Sequence, residues 1–283
     1  MNKIDCPKCG TPVDGSKPCP KCKTDMEGIS KIQQVLDWAY DKAVYGLGYK
    51  KKSPAKLAFK SAATTVGNSN LPDKEELKNS VIDMVEKYRN KFPNEPEKQI
   101  NSLIRWQVAK CSASGFLTGL FGLMAIPVSL PANLASVFYF QIRMAAAIAY
   151  IRGYDLKSDE VKRFVQMCMV IEDIKKMLGD IGKNKWEGKL SPQAKREIIL
   201  KISRLIAYKL SAKIGSKGAI NITKMVPLIG GVAGGAIDGV WTKGIATAAK
   251  KNFIKIDPKT DKETSEKPLS RIIERLSSAG GSL

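Results

Sequence analysis

Histidine is absent from the 283-residue sequence. It is the commonest general base near neutral pH, and it also completes Ser-His and Cys-His pairs and many metal sites. Aromatic residues are also scarce, at 7% of the chain, which is unlike proteins that stack nucleic-acid bases. These shortages disfavour the common hydrolase arrangements, and we predict no catalytic residue.

No alternating apolar and polar stretch long enough for a β-strand occurs after the first 27 residues. Apolar residues instead recur three and four positions apart, as at Ile32, Val35 and Leu36. Prolines of the FPNEP segment separate predicted helices over 73–91 and 97–112. The sequence therefore predicts an all-α, multi-helix domain over 28–256 and a flexible polar tail over 257–283.

The N-terminal residues, MNKIDCPKCG, contain no apolar stretch. We therefore predict no signal peptide and expect a cytoplasmic protein whose thiols stay reduced.

Four cysteines follow the pattern C-x2-C-x9-C-x2-C, at Cys6, Cys9, Cys19 and Cys22. Two C-P-x-C turns can present four thiolates to one ion, and four thiolates make a tetrahedral zinc site. We predict a zinc ribbon over 1–27 that needs its metal to fold and that serves as a partner-binding module. Two disulfides or four free thiols are the alternatives.

The net charge is +20, and it is spread unevenly. The segment 175–224 has 13 Lys and Arg residues against only three acidic ones. Such a surface favours an anionic partner, which is a phospholipid membrane, a nucleic acid or an acidic protein.

Residues 111–142 carry no formal charge, and Arg143 then follows inside an apolar helical pattern. A membrane-spanning helix needs about 20 continuous apolar residues. Here Pro127 and Pro131 interrupt the stretch. We therefore expect a buried or re-entrant helical hairpin rather than two transmembrane spans.

An unpaired buried guanidinium is costly, so Arg143 is expected to have a carboxylate partner. Asp238 is the preferred candidate and Asp155 the alternative. Gly153 and Ser158, on either side of Asp155, are expected to close one helix and cap the next. The competing interpretation is an anion or lipid head-group site built from Gln141 and Arg143.

A second apolar stretch places Gly231, Gly235 and Gly239 four residues apart. This spacing removes side chains from one helix face and lets another helix approach closely. The close pair can lie either in a soluble core or in lipid, and the spacing does not distinguish the two.

The segments GFLTGLFGLMAIPVSLPANLASVFYFQIRMAAAIAYIRGYDLKSDEVKRFV and KMVPLIGGVAGGAIDGV together resemble the bacterial EcsC family. The resemblance covers about residues 30–256 and includes the prolines at 127 and 131, Gln141, Arg143 and the 153–155 turn. It implies an all-helical fold and a membrane-related context, and it supplies no catalytic residues. The N-terminal ribbon is an addition to the family pattern.

These observations predict a membrane-associated helical adaptor at the inner face of the membrane, bound to anionic lipid or to a membrane protein. A zinc-ribbon protein that binds nucleic acid is the first alternative. A hydrolase using Asp155 or Asp238 is the second, although no nucleophile accompanies them.

The expected ion pair gives a double-mutant test. Arg143→Met and Asp238→Asn should each lower the free energy of unfolding by about 3–5 kcal/mol, because each leaves one buried charge without its partner. The double variant should recover much of this loss, as measured by urea denaturation. Additive losses would show that the two residues are not paired.

Overall fold

The computed structural model describes residues 4–46, 80–121, 132–170, 192–219, 227–256 and 261, and its side-chain detail covers 4–46, 80–109, 138–170, most of 193–212, 239–256 and 261. Helices make up most of the described chain, which confirms the all-α prediction. The elements are β1 Ile4–Asp5, β2 Pro12–Val13, α1 Met26–Tyr45, α2 Val81–Lys91, α3 Pro96–Phe121, α4 Ala132–Ile151, α5 Asp159–Met167, α6 Pro192–Ala219 and α7 Pro227–Asn252.

Local sequence signals account for several helix ends. Ser80 begins α2 with a capping box, in which its hydroxyl accepts from Asp83 N at 3.2 Å and the Asp83 carboxylate accepts from Ser80 N at 2.9 Å. Ser158 caps α5 as predicted, accepting from Glu160 N at 3.2 Å. Gly153 has the positive φ of +98° expected of a residue that closes a helix.

The helix α4 lies at the centre of the bundle. It contacts α1, α2, α3, α5 and α7, and every side chain from Phe138 to Ala149 is buried. Small residues at 145–147 and 149 let the neighbouring helices approach, while Phe138 packs edge-on against Trp241 of α7 with ring centroids 6.1 Å apart. This centre is therefore enclosed by helices from both its N-terminal and its C-terminal side in the sequence.

The relative directions of α3, α4 and α7 follow from one ion-pair cluster. Glu97, at the start of α3, contacts Arg152 just after α4 at 2.5 Å and Lys250 near the end of α7 at 3.0 Å. Consequently α3 runs antiparallel to both α4 and α7. The backbone of the chain after α7 is held at the same end, since Ile256 N donates to Arg152 O at 3.0 Å.

A second polar cluster joins α1 to α5. Arg163 forms a short ion pair with Asp37, and Lys162 Nζ lies 2.9 Å from Asp41 Oδ1. Gln166 Nε2 also donates to Asp37 Oδ1 at 3.0 Å. Burial raises the pKa of Asp37, but the charge and hydrogen bond of Arg163 outweigh it, so this pKa lies below its ordinary value.

This cluster predicts an acid-dependent contribution to stability. Because the native pKa of Asp37 lies below the unfolded value of about 3.9, its contribution is present above that pH and is lost as the pH falls through the native pKa. Asp37→Asn should lower the free energy of unfolding by about 2 kcal/mol at pH 7. The difference from the wild type should shrink towards zero at about pH 2.

Urea denaturation across this pH range measures the effect. Glu86→Gln is the control, because Glu86 pairs with Arg89 on the exposed surface of α2 and should change stability by less than about 0.5 kcal/mol. A loss in Asp37→Asn that stays constant with pH would contradict the assignment.

Candidate functional site

The two cysteine turns form one repeated backbone structure. In the first turn, Cys6 O accepts from Gly10 N at 2.9 Å and Cys6 N donates to Thr11 O at 3.0 Å. The second turn repeats both bonds, from Lys23 N to Cys19 O at 2.8 Å and from Cys19 N to Thr24 O at 2.9 Å. The residue after the second cysteine has a positive φ in each turn, +72° at Gly10 and +58° at Lys23.

The repeated turns bring the four predicted sulfur atoms together. Cys6 Sγ lies 3.5 Å from Cys22 Sγ, and Cys9 Sγ lies 3.6 Å from Cys19 Sγ. All four sulfurs lie within 4.8 Å of one another, which is close enough to bind a metal ion. Cys6 and Cys19 are buried and the other two are half-buried, so a bound ion would be largely shielded from water.

Two threonines support the sulfurs and were not singled out from the sequence. Thr11 Oγ1 is hydrogen-bonded to Cys9 Sγ at 3.3 Å, and Thr24 Oγ1 is hydrogen-bonded to Cys22 Sγ at 3.0 Å. The bond to Thr24 lowers the pKa of the Cys22 thiol to about 6, against the effect of its burial. The sequence does indicate these threonines, because CPKCGT at residues 6–11 is nearly repeated as CPKCKT at residues 19–24 and both copies end in threonine.

The cysteine turns are attached to the helices that follow. Asp25, directly after the second turn, caps α1 by accepting from Gly28 N at 2.9 Å. Asp5 of β1 pairs with Lys201 of α6 at 3.1 Å. A groove of about 480 Å³ runs beside the turns and is lined by Ile4, by the first two turns of α1 and by Arg204.

The structure buries both Gln141 and Arg143, with Arg143 only 1% exposed. Gln141 Nε2 donates to Thr242 Oγ1 of α7 at 3.2 Å, and the Arg143 guanidinium lies 5.9 Å from the centroid of the Tyr139 ring. Hydrogen bonds with Ser80 lower the pKa of Asp83, and the charge of Arg143 lowers it further. An acidic residue of α2 is thus within electrostatic reach of Arg143.

The remaining predicted site residues are placed as follows. Asp155 is exposed, and its Oδ1 accepts from Lys157 N at 2.9 Å, as in a turn. Asp238, Gly231 and Gly235 lie on the α7 backbone, but their side-chain surroundings fall outside the described residues. Gly239 is buried on the same helix. The pairing of Arg143 with Asp238 and the glycine packing face remain predictions.

Three helices share one end that has no formal charge. Because α3 runs antiparallel to α4 and α7, its residues 111–121 lie at the same end as residues 132–142 of α4 and 227–237 of α7. We call these three segments the uncharged end. Exposed apolar side chains occur close to its border, Trp106 at 58% and Val240 at 74% exposure, and the cationic residues Arg105 and Lys243 are exposed there too.

Among the described residues, no helix has the length and apolar character needed to cross a membrane. No family model, curated protein or solved structure matches the chain. The functional argument therefore depends on the site geometry and the charge distribution.

The cysteine cluster predicts about one bound metal ion per chain. Cys19→Ser/Cys22→Ser should abolish this metal content, because two of the four ligands are lost. Cys168→Ala is the matched control, since Cys168 is buried in the helical core and is not one of the clustered residues. Elemental analysis of the purified proteins measures the result, and unchanged metal in the double variant would rule out the site.

Proposed function

We propose that this chain is a peripheral membrane protein of the EcsC type that docks at the inner face of the membrane through its uncharged end. The observation that carries this proposal is the shared uncharged end of α3, α4 and α7, with exposed Trp106 and Val240 close to its border. The metal module holds a protein partner.

The length of the uncharged end suits one leaflet of a bilayer. Each of its three segments has 11 residues, which corresponds to about 16 Å of helix. Half of a hydrocarbon core of about 30 Å is about 15 Å. Insertion into one leaflet therefore needs no spanning helix.

The residues at the border suit the membrane–water interface. Tryptophan prefers the head-group level because its ring is apolar and its N–H is polar. Arg105 and Lys243 are exposed and can meet lipid phosphates while their stems cover apolar surface. The net charge of +20 adds a longer-range attraction to anionic lipid.

We further propose that the metal is zinc. A tetrahedral zinc–thiolate site with bonds of about 2.3 Å has sulfur atoms about 3.8 Å apart. Two sulfur separations here are 3.5 and 3.6 Å, and all of them are within 4.8 Å, so binding would need only small shifts of the sulfur atoms. Bound zinc would tie the two cysteine turns together, and the groove beside them offers the surface for a partner.

Vesicle co-sedimentation tests the docking role. The wild type should bind vesicles of phosphatidylglycerol mixed with phosphatidylcholine, and salt should weaken binding because charges are screened over about 8 Å at physiological ionic strength. Trp106→Glu/Val240→Glu should weaken binding by about tenfold or more, since apolar contacts with the interface are replaced by negative charges.

The matched control is Leu200→Glu/Ile254→Glu, which changes two exposed apolar residues, one on α6 and one after the end of α7. It introduces the same charge and should weaken binding much less. Equal weakening by both variants would contradict insertion of the uncharged end. Much tighter binding of the wild type to DNA or RNA at the same salt concentration would favour a nucleic-acid-binding role instead.

A further inference from the structure

A groove of about 340 Å³ lies between α3 and α7. Ile104 and Ala246 contribute apolar surface to it, and three lysines line it together with Asn101 and Thr247. No acidic side chain is among its lining residues. The groove therefore combines apolar contact with a concentration of positive charge, which suits an anionic group carried on an apolar molecule.

Lys250 fixes the orientation of the Asn101 side-chain amide in the groove. Lys250 Nζ donates to Asn101 Oδ1 at 3.0 Å and is also held by Glu97 at 3.0 Å. An ammonium group can only donate, so the amide oxygen of Asn101 must face it. The Asn101 NH2 group then remains available to an acceptor on a ligand.

The other two lysines share an exposed helix face with Val240. Lys243 and Lys251 lie three and eleven residues after Val240, so all three project from the same side of α7. Each is exposed, and no ion pair to either ammonium group occurs among the described residues. Their charges are thus available to an anion.

The end of the groove at Lys243 lies at a suitable depth relative to the uncharged end. Lys243 is six residues beyond residue 237, or about 9 Å along the helix axis. The head-group layer of one leaflet is about 5–8 Å thick, from a total thickness of about 40–45 Å and a core of about 30 Å. A lysine side chain can cover the remaining distance to a lipid phosphate.

We propose that this groove binds the head group of an anionic phospholipid, an inference that rests on the docking role proposed above. Lys243 contacts the phosphodiester by a charge-assisted hydrogen bond. Asn101, Lys250 and Lys251 contact the polar part of the head group farther from the acyl chains. Ile104 and Ala246 pack against its carbon atoms.

Asn101→Asp tests the groove with a nearly isosteric change. The carboxylate keeps an acceptor for Lys250, so the fold should be retained, but it replaces two donors with a negative charge. Asn90→Asp is the matched control, because Asn90 is also exposed, on the neighbouring helix α2. Circular dichroism checks that both variants are folded.

The dissociation constant for phosphatidylglycerol vesicles should rise about five- to tenfold in Asn101→Asp and less than about twofold in Asn90→Asp. Lys243→Gln should repeat the loss, with Lys87→Gln on α2 as its control. Equal effects in variant and control, or no effect in either groove variant, would overturn the groove site while leaving vesicle docking intact.

A titration with soluble ligands tests the groove independently of vesicle docking. It also distinguishes binding of a lipid from binding of free phosphate. Calorimetric titration uses short-chain phosphatidylglycerol below its micelle concentration, and separately inorganic phosphate. Binding of the lipid, lost in Asn101→Asp, supports the groove even if the wild type does not bind vesicles. Absence of lipid binding, or equally tight binding of inorganic phosphate, would overturn the lipid assignment.

Discussion

The complete burial of α4 is the constraint on which the rest of the structure depends. A helix with no exposed side chain over 138–149 must be surrounded by other helices, and five of them contact it. This helix also carries Arg143 and Gln141 into the interior. A buried guanidinium and amide require defined polar contacts, and the bond from Gln141 to Thr242 is one that sets how α7 lies on α4.

The bundle distributes its ion pairs asymmetrically. The cluster of Glu97, Arg152 and Lys250 joins three helices at one end, whereas the opposite ends of the same helices have no charged residue. Charged and uncharged ends separated along one axis are a natural arrangement for a protein at an interface between water and lipid. The groove between α3 and α7 lies between the ion-pair cluster and the uncharged end.

The cysteine turns and the first helix form a continuous structure. Thr24 closes the second turn, Asp25 caps α1, and Met26 begins the helix and is buried in the core. Cys6, Val13 and Cys19 join the same hydrophobic cluster as the helices. A few consecutive residues therefore connect the cysteine cluster to the start of α1, and the second half of this helix carries Asp37 and Asp41 in the contact with α5.

The sequence by itself determined the local features: the helical character, the cap at Ser158, and the four cysteines that lie together. Each depends on residues a few positions apart or on a repeated turn, so spacing alone predicts it. The sequence also shows where the uncharged segments lie, because the charged residue types are identified directly from it.

Only the tertiary structure decided which distant residues meet. The contacts of Asp37 with Arg163, of Gln141 with Thr242 and of Asn101 with Lys250 join residues more than 100 positions apart. Many acidic and basic residues of this chain lie in similar local sequence contexts, so spacing does not show which of them pair. The packing of the helices decides which pairs form. The alignment of three uncharged segments at one end likewise required the antiparallel direction of α3, which no local pattern specifies.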